Sequence, residues 1–281
     1  MDLFNRLLQK YRASFLNALV EAAQENDLST RAASLAMFSA MSVFPFIAIL
    51  VWLTTLAGNY ETAHFWSDRF ALFLPPDFAD LIRDEIDIRI ERRIEGSFLA
   101  VSFHIALLLL SAGGAIRSFL FSLREIGKAE DAIEIHQIVL RSFVFIIPAV
   151  IFVFLAAALV GIVSFLSLRV TALFGSSWLA MPMIWLIMTA VLVIVLNGIY
   201  ASSLIGHQVL KIHGWVGALT AAASIALVTI LLSFYNNLNP ANRDWYGAQG
   251  FIIIVLIWFY ACSGCILLGA QINALRSQRS G

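Results

Sequence analysis

Cys262 and Cys265 stand three residues apart, the C-x-x-C spacing that redox and zinc chemistry use. Both uses need neighbours that this stretch lacks. Residues 245–275 contain no charge, no histidine and no second cysteine pair, and apolar surroundings keep a thiol protonated and inert. The pair is expected to serve packing. Ala261, Cys265, Gly269 and Asn273 recur once per helical turn, a stripe of small residues that lets membrane helices approach closely. Of the histidines, His64, His104, His136, His207 and His213, only His207 and His213 are neighbours, and with Lys211 they suggest an anion or headgroup site at a membrane interface. Two histidines six residues apart face roughly opposite sides of a helix, which argues against joint metal ligation. The sequence has no G-x-S-x-G, H-E-x-x-H or G-x-x-x-x-G-K-[ST] motif. No catalytic residue, metal ligand or cofactor-binding residue is assigned, and no enzyme activity is expected.

Two other sets of residues can do physical work. Asn197, Asn236, Asn237, Asn239, Gln249, Gln271 and Asn273 are polar but neutral. They either tie helices together by hydrogen bonds or line a hydrated cavity. Arg117, Arg124 and Lys128 recur at near-heptad spacing and share one helical face, a surface suited to lipid headgroups.

The elements that hold these residues follow from the charges. The chain has 281 residues, 60% hydrophobic and 13% charged, with 18 Lys+Arg against 18 Asp+Glu. A soluble domain needs about twice that charged fraction. Six uncharged runs, 32–60, 96–116, 142–168, 170–210, 212–242 and 245–275, hold 180 residues and none of the 36 charges. Each is long enough to cross a hydrocarbon core, which takes about 20 residues. This excludes a soluble enzyme and a disordered chain. The predicted fold is all-α: a single polytopic membrane domain over 1–281, with spans at about 32–57, 97–112, 143–167, 178–204, 215–238 and 248–272. Zero net charge gives no support to a nucleic-acid partner.

Phe4, Leu8, Tyr11, Phe15, Leu19 and Ala22 give the arm 1–31 an amphipathic helical pattern, either lying on the membrane or packed on the first loops. In the first span, Pro45 frees a carbonyl that Ser39 or Ser42 could satisfy, and a kink is expected there. The first loop, 58–95, carries 9 acids against 5 bases. Pro75 and Pro76 could open a helix there, with Phe78, Leu81, Ile82, Ile86 and Ile90 on its apolar face, although Ile86, Ile88 and Ile90 also alternate as in a strand. The second span is expected to end at Gly113–Gly114, and a polar turn, Asn239 to Asp244, to introduce the sixth. With both termini in the cytoplasm, inside segments hold 11 Lys/Arg and outside segments 7, as the positive-inside rule prefers. The acidic loop then faces outward. His104, the one ionisable group near mid-span, suits an interhelical hydrogen bond better than a proton relay.

Three stretches resemble the YihY/BrkB family of bacterial inner-membrane proteins. They are Arg31-Ala-Ala-Ser-Leu-Ala-Met-Phe-Ser-Ala-Met-Ser-Val-Phe-Pro45, Gly114-Ala-Ile-Arg-Ser-Phe-Leu-Phe-Ser-Leu-Arg-Glu-Ile126, and the C-terminal third. The last runs from Gly217 through Ser233-Phe-Tyr235, Tyr246-Gly-Ala-Gln-Gly250 and Leu256-Ile-Trp-Phe-Tyr260 to Leu267-Leu-Gly-Ala-Gln-Ile-Asn-Ala274. The resemblance implies six transmembrane helices in the inner membrane and no defined mechanism; members have been linked to serum resistance and transport, and some carry an old ribonuclease label. Gln271 stands where the family often has glutamate, and His-Gly-Trp-Val-Gly replaces a start that often contains proline. The expected function is a permease or a transporter of lipid or envelope components that works without buried carboxylates. A non-transporting envelope organiser is the alternative, and an intramembrane enzyme is disfavoured. Membrane lipids and a lipid or small-molecule substrate are the expected partners, and no oligomeric state is specified. The positions singled out are Pro45, Arg117, Arg124, Asn236, Tyr246, Gly247, Gly269, Gln271 and Asn273.

Overall fold

A computed structural model describes residues 15–56, 84, 87–88, 98–128, 180–201, 214–238 and 241–280. The described elements are helices, with no strand among them: α1 (Phe15–Glu25), α2 (Leu28–Leu56), α3 (Phe98–Ile126), α4 (Ala180–Ala201), α5 (Trp215–Leu238) and α6 (Ala241–Ser280). Val101–Ile126, Trp215–Tyr235 and Ile252–Gln278 are long and apolar enough to cross a membrane, and Trp185–Tyr200 forms a shorter apolar helix. The expected third span and the His207/Lys211/His213 group lie outside the described residues. So does most of the acidic loop, of which Asp84, Asp87 and Ile88 are helical and exposed.

α2 and α3 form an antiparallel pair. Ser118 Oγ donates to Ser34 Oγ at 3.1 Å, and Gly114 lies against the Phe38 ring, where a Cβ would come within 2.5 Å of Cδ1. This corrects the expected end of the second span. α3 runs without interruption through Gly113 and Gly114, both buried. Glycine is unfavourable within a helix, but here the missing side chain makes room for an aromatic ring of the facing helix. Arg117 and Arg124 therefore belong to the same helix as the apolar span. Lys128 lies beyond its end, at φ 49°.

Pro45 is buried inside α2. The freed carbonyl belongs to Met41, whereas Ser42 Oγ donates to Ser39 at 2.7 Å. The expected rescue of the freed carbonyl by Ser42 is thus replaced by an ordinary back-bond one turn earlier. Of the polar turn expected over 239–244, residues 241–244 are helical instead, because α6 already includes Ala241 and continues to Ser280; 239 and 240 lie outside the described residues. Its last turns place the exposed Arg276 near the negative end of the helix dipole.

α6 is the hub, touching α1, α2, α3 and α5, while α4 packs along α5. One cluster gathers the ends of five helices. It joins Leu28 and Ala32 of α2, Leu120, Leu123 and Ile126 of α3, and Leu196 and Tyr200 of α4 to Ala218, Ala221 and Ala222 of α5 and Leu267, Ala270 and Ala274 of α6. The small residues of α5 and α6 let their backbones meet, the usual substitute for hydrophobic attraction between membrane helices.

Candidate functional site

The strongest polar construction lies at this packed end. Between α1 and α2 the chain turns at Asn26 and Asp27, and Asp27 adopts the left-handed conformation that Asp and Asn tolerate (φ 47°). Asp27 leads into α2, its Oδ1 accepting from Thr30 Oγ1 at 3.0 Å and its carbonyl from the Arg31 N–H at 3.2 Å. The turn aims Asn26 at the last helix: its Nδ2 donates to Gln271 Oε1 at 2.7 Å, across 245 residues of sequence. Arg31 Nε holds the Asn26 carbonyl at 2.7 Å, and Arg31 Nη2 reaches Glu125 Oε2 at 3.4 Å.

The Arg31–Glu125 side chains are 28% and 57% exposed, and exposed ion pairs contribute at most about 1 kcal/mol. Gln271 is only 2% exposed, so removing its partner leaves a dry amide at a cost of about 1–3 kcal/mol. Thermal unfolding in detergent should therefore separate Asn26→Ala, clearly destabilised, from Glu125→Ala, nearly unchanged. Equal losses would show that the ion pair contributes as much as the amide contact to holding the α1–α2 turn to the bundle.

Asn273 completes the set. Its Oδ1 accepts from the Gly217 N–H at 2.7 Å, and its Nδ2 donates to the Gly214 carbonyl at 2.7 Å. Helix starts leave backbone donors unsatisfied, and Gly214, immediately before α5, has no side chain with which to cap them. Asn273 of α6 supplies that cap from outside. Gly217 and Gly269 allow it, since a Cβ on Gly269 would come within 2.5 Å of the Gly217 carbonyl and 2.7 Å of Ala221 Cβ. Tyr200 of α4 joins the same junction, its hydroxyl donating to the Ile266 carbonyl at 2.6 Å. Farther along α5, Trp258 Nε1 donates to Thr229 Oγ1 at 3.1 Å.

Of the positions expected to matter, the structure brings together Gly269, Gln271 and Asn273. Their polar atoms face neighbouring helices: Gln271 and Asn273 are 2% and 3% exposed and hydrogen-bonded to protein. That favours interhelical bonding over the lining of a hydrated cavity. Pro45 is far from this cluster along α2, and Arg117 and Arg124 are half-buried on α3. Asn236 lies in α5, and Tyr246 and Gly247 in α6. His104 packs edge-on against Phe103, with ring centroids 6.0 Å apart. Cys262 and Cys265 are free thiols, both half-buried. Among the described residues no group of three or more His, Cys, Asp or Glu could hold a metal. Asn26 and Tyr200 escaped the sequence reading. Asn26-Asp27 between two helical patterns is a turn signal, but nothing in it names Gln271.

The family model described as Virulence factor BrkB matches residues 19–281. The ribonuclease-like protein YfkH of Bacillus subtilis (strain 168) is 27% identical over 275 residues, covering 95% of this chain and 96% of its own. A UPF0761 membrane protein of Albidiferax ferrireducens (strain ATCC BAA-621 / DSM 15236 / T118) is 39% identical over 70 residues, 25% of this chain and 17% of its own. Another, of Vibrio campbellii (strain ATCC BAA-1116), is 34% identical over 67 residues, 24% of this chain and 21% of its own. No solved structure matches.

Proposed function

The chain belongs to the Virulence factor BrkB family, and from that premise we propose a six-span protein of the bacterial inner membrane, both termini cytoplasmic, that translocates a lipid or lipid-like envelope component. The helix directions support six crossings. α2 and α5 start at the packed end, whereas α3, α4 and α6 finish there. α4, with 22 residues and thus about 33 Å long, begins at the opposite end from the one where α3 stops. The uncharged run 142–168 is available for the crossing between them. The bias of Lys and Arg, 11 against 7, supports a cytoplasmic packed end.

One observation carries the choice of substrate class. The neutral amides best placed to line an aqueous path, Gln271 and Asn273, are used up between helices, while α3, α4 and α5 present exposed Leu, Ile and Phe side chains. A bundle with apolar flanks and a tied interior suits a cargo that stays partly in the hydrocarbon. The same closed packing also favours a second reading, a non-transporting envelope organiser. Neither reading assigns catalysis, and the ribonuclease-like name belongs to the Bacillus relative.

Reconstitution into phosphatidylethanolamine/phosphatidylglycerol vesicles decides among them. Fluorescent phospholipid should exchange between leaflets faster than in protein-free vesicles, while an entrapped polar dye stays inside. Dye escape without lipid exchange would replace the lipid reading by a polar permease. Neither movement would leave the organiser.

A further inference from the structure

Four residues of α3 stand seven apart: Phe103, Leu110, Arg117 and Arg124. Seven residues bring a helix to within about 20° of two full turns and advance it about 10.5 Å, so the four form one longitudinal stripe. It flanks the face that meets α2, which carries Gly114 and Ser118: at 100° per residue the stripe winds from about 20° to about 80° to one side of Gly114, with Ser118 about 40° to the other. Phe103 and Leu110 are 65% and 64% exposed, and Phe121 beside the two arginines is also exposed. Arg117 is half-buried and makes no hydrogen bond or ion pair with any described residue. The one acid in that part of the helix, Glu125, is drawn to Arg31 of α2.

The order along the stripe matches a leaflet. Residues 98–116 of α3, before Arg117, are uncharged and at about 1.5 Å each span about 28 Å, close to the thickness of the hydrocarbon core. Arg117 thus falls at the level of the lipid phosphates, with Arg124 about 10 Å farther toward water. In the other direction Leu110 lies about 10 Å below Arg117, within the acyl region of the same leaflet, and Phe103 about 21 Å below it, where the chain ends meet near the bilayer midplane. A guanidinium offers a planar fork of donors that fits a phosphate in two-point contact.

We propose that the Phe103–Leu110–Arg117–Arg124 stripe of α3 is a binding site for an anionic membrane phospholipid, Arg117 and Arg124 holding its phosphate-bearing headgroup and Leu110 and Phe103 an acyl chain. The site rests on the lipid-translocation reading and gives it a substrate class. Its register makes it a cytoplasmic-leaflet site, the entry or exit point of the path.

The test uses the full-length protein in nanodiscs, measuring retained lipid by native mass spectrometry at matched phosphatidylglycerol and phosphatidylcholine. Phosphatidylglycerol should be retained preferentially, and Arg117→Ala should lower retention about fivefold, the size of one basic residue's attraction to an anionic surface. Arg276→Ala should leave it unchanged. Leu110→Asp should weaken retention while both arginines remain, and inorganic phosphate should not displace the lipid. The proposal is overturned by equal retention in Arg117→Ala and the parent, by indifference to headgroup charge, or by displacement with inorganic phosphate. Leaflet exchange by the parent in the same lipids keeps the two ideas apart: exchange without selective retention rejects the stripe alone, and retention without exchange rejects translocation alone.

Discussion

Gly217→Ala should lower the midpoint of thermal unfolding in detergent by roughly 6–12 °C, from an overpacking cost of about 3 kcal/mol. The new methyl would run into the Gly269 carbonyl and stand 2.5 Å from Asn273 Cγ. A flexible side chain could swing away from such a clash. A backbone carbonyl inside a helix cannot, so α5 and α6 have to separate, and the contacts of Ala221 and Tyr200 with the same junction loosen with them. The comparison that gives this meaning lies in the same helices' neighbourhood. A Cβ on Gly198 or Gly264 meets nothing within 4 Å, and Gly→Ala inside a helix stabilises by roughly 0.5–1 kcal/mol when space is open. Opposite signs at the two kinds of glycine are therefore expected. A Gly217→Ala protein as stable as the parent would mean that the α5–α6 approach is looser than the described geometry.

Asn273→Ala should cost about 1–3 kcal/mol, because it orphans the buried Gly217 donor and the half-buried Gly214 acceptor together. Single side-chain bonds between membrane helices average only about 0.6 kcal/mol, but those values concern side chains that find other partners when unpaired. The Gly217 N–H belongs to the first turn of a helix and has no intrahelical acceptor to fall back on. Hydrogen exchange gives a local readout: amides at 215–218 should exchange faster in Asn273→Ala, while those in the middle of α5 keep their protection. Uniform protection along α5 in both proteins would show that another group provides the cap.

The charge pattern made much of the fold legible. The expected fifth span, 215–238, coincides with α5, and the fourth, 178–204, with α4 to within three residues at either end. Membrane crossings are readable because a charge in hydrocarbon is expensive, so runs without charge mark them one by one. Gly113–Gly114 misled for an equally physical reason. A glycine pair signals a break when only helix propensity is considered, yet the same missing side chains admit Phe38, and that contact is set by a residue on another helix. The polar junction was legible only in its inventory. Gln271 and Asn273 stood out as amides in an apolar run, but their partners Asn26, Gly214 and Gly217 lie 56 to 245 residues away, and no local pattern encodes such a pairing. Arg117 and Arg124 announced themselves by spacing, and the continuity of α3 then linked them to Leu110 and Phe103.

The outside cap on α5 also has a consequence in time. Chains are made from the N-terminus, so α5 enters the membrane before the ribosome has produced Asn273, and until then its first turn has no cap and Gly217 no neighbour. The half-finished protein carries an uncapped helix start that only the arrival of α6 completes. A chain cut before that point lacks the acceptor for the Gly217 N–H and the donor for the Gly214 carbonyl. The order of synthesis thereby makes the start of α5 wait for α6 to be finished.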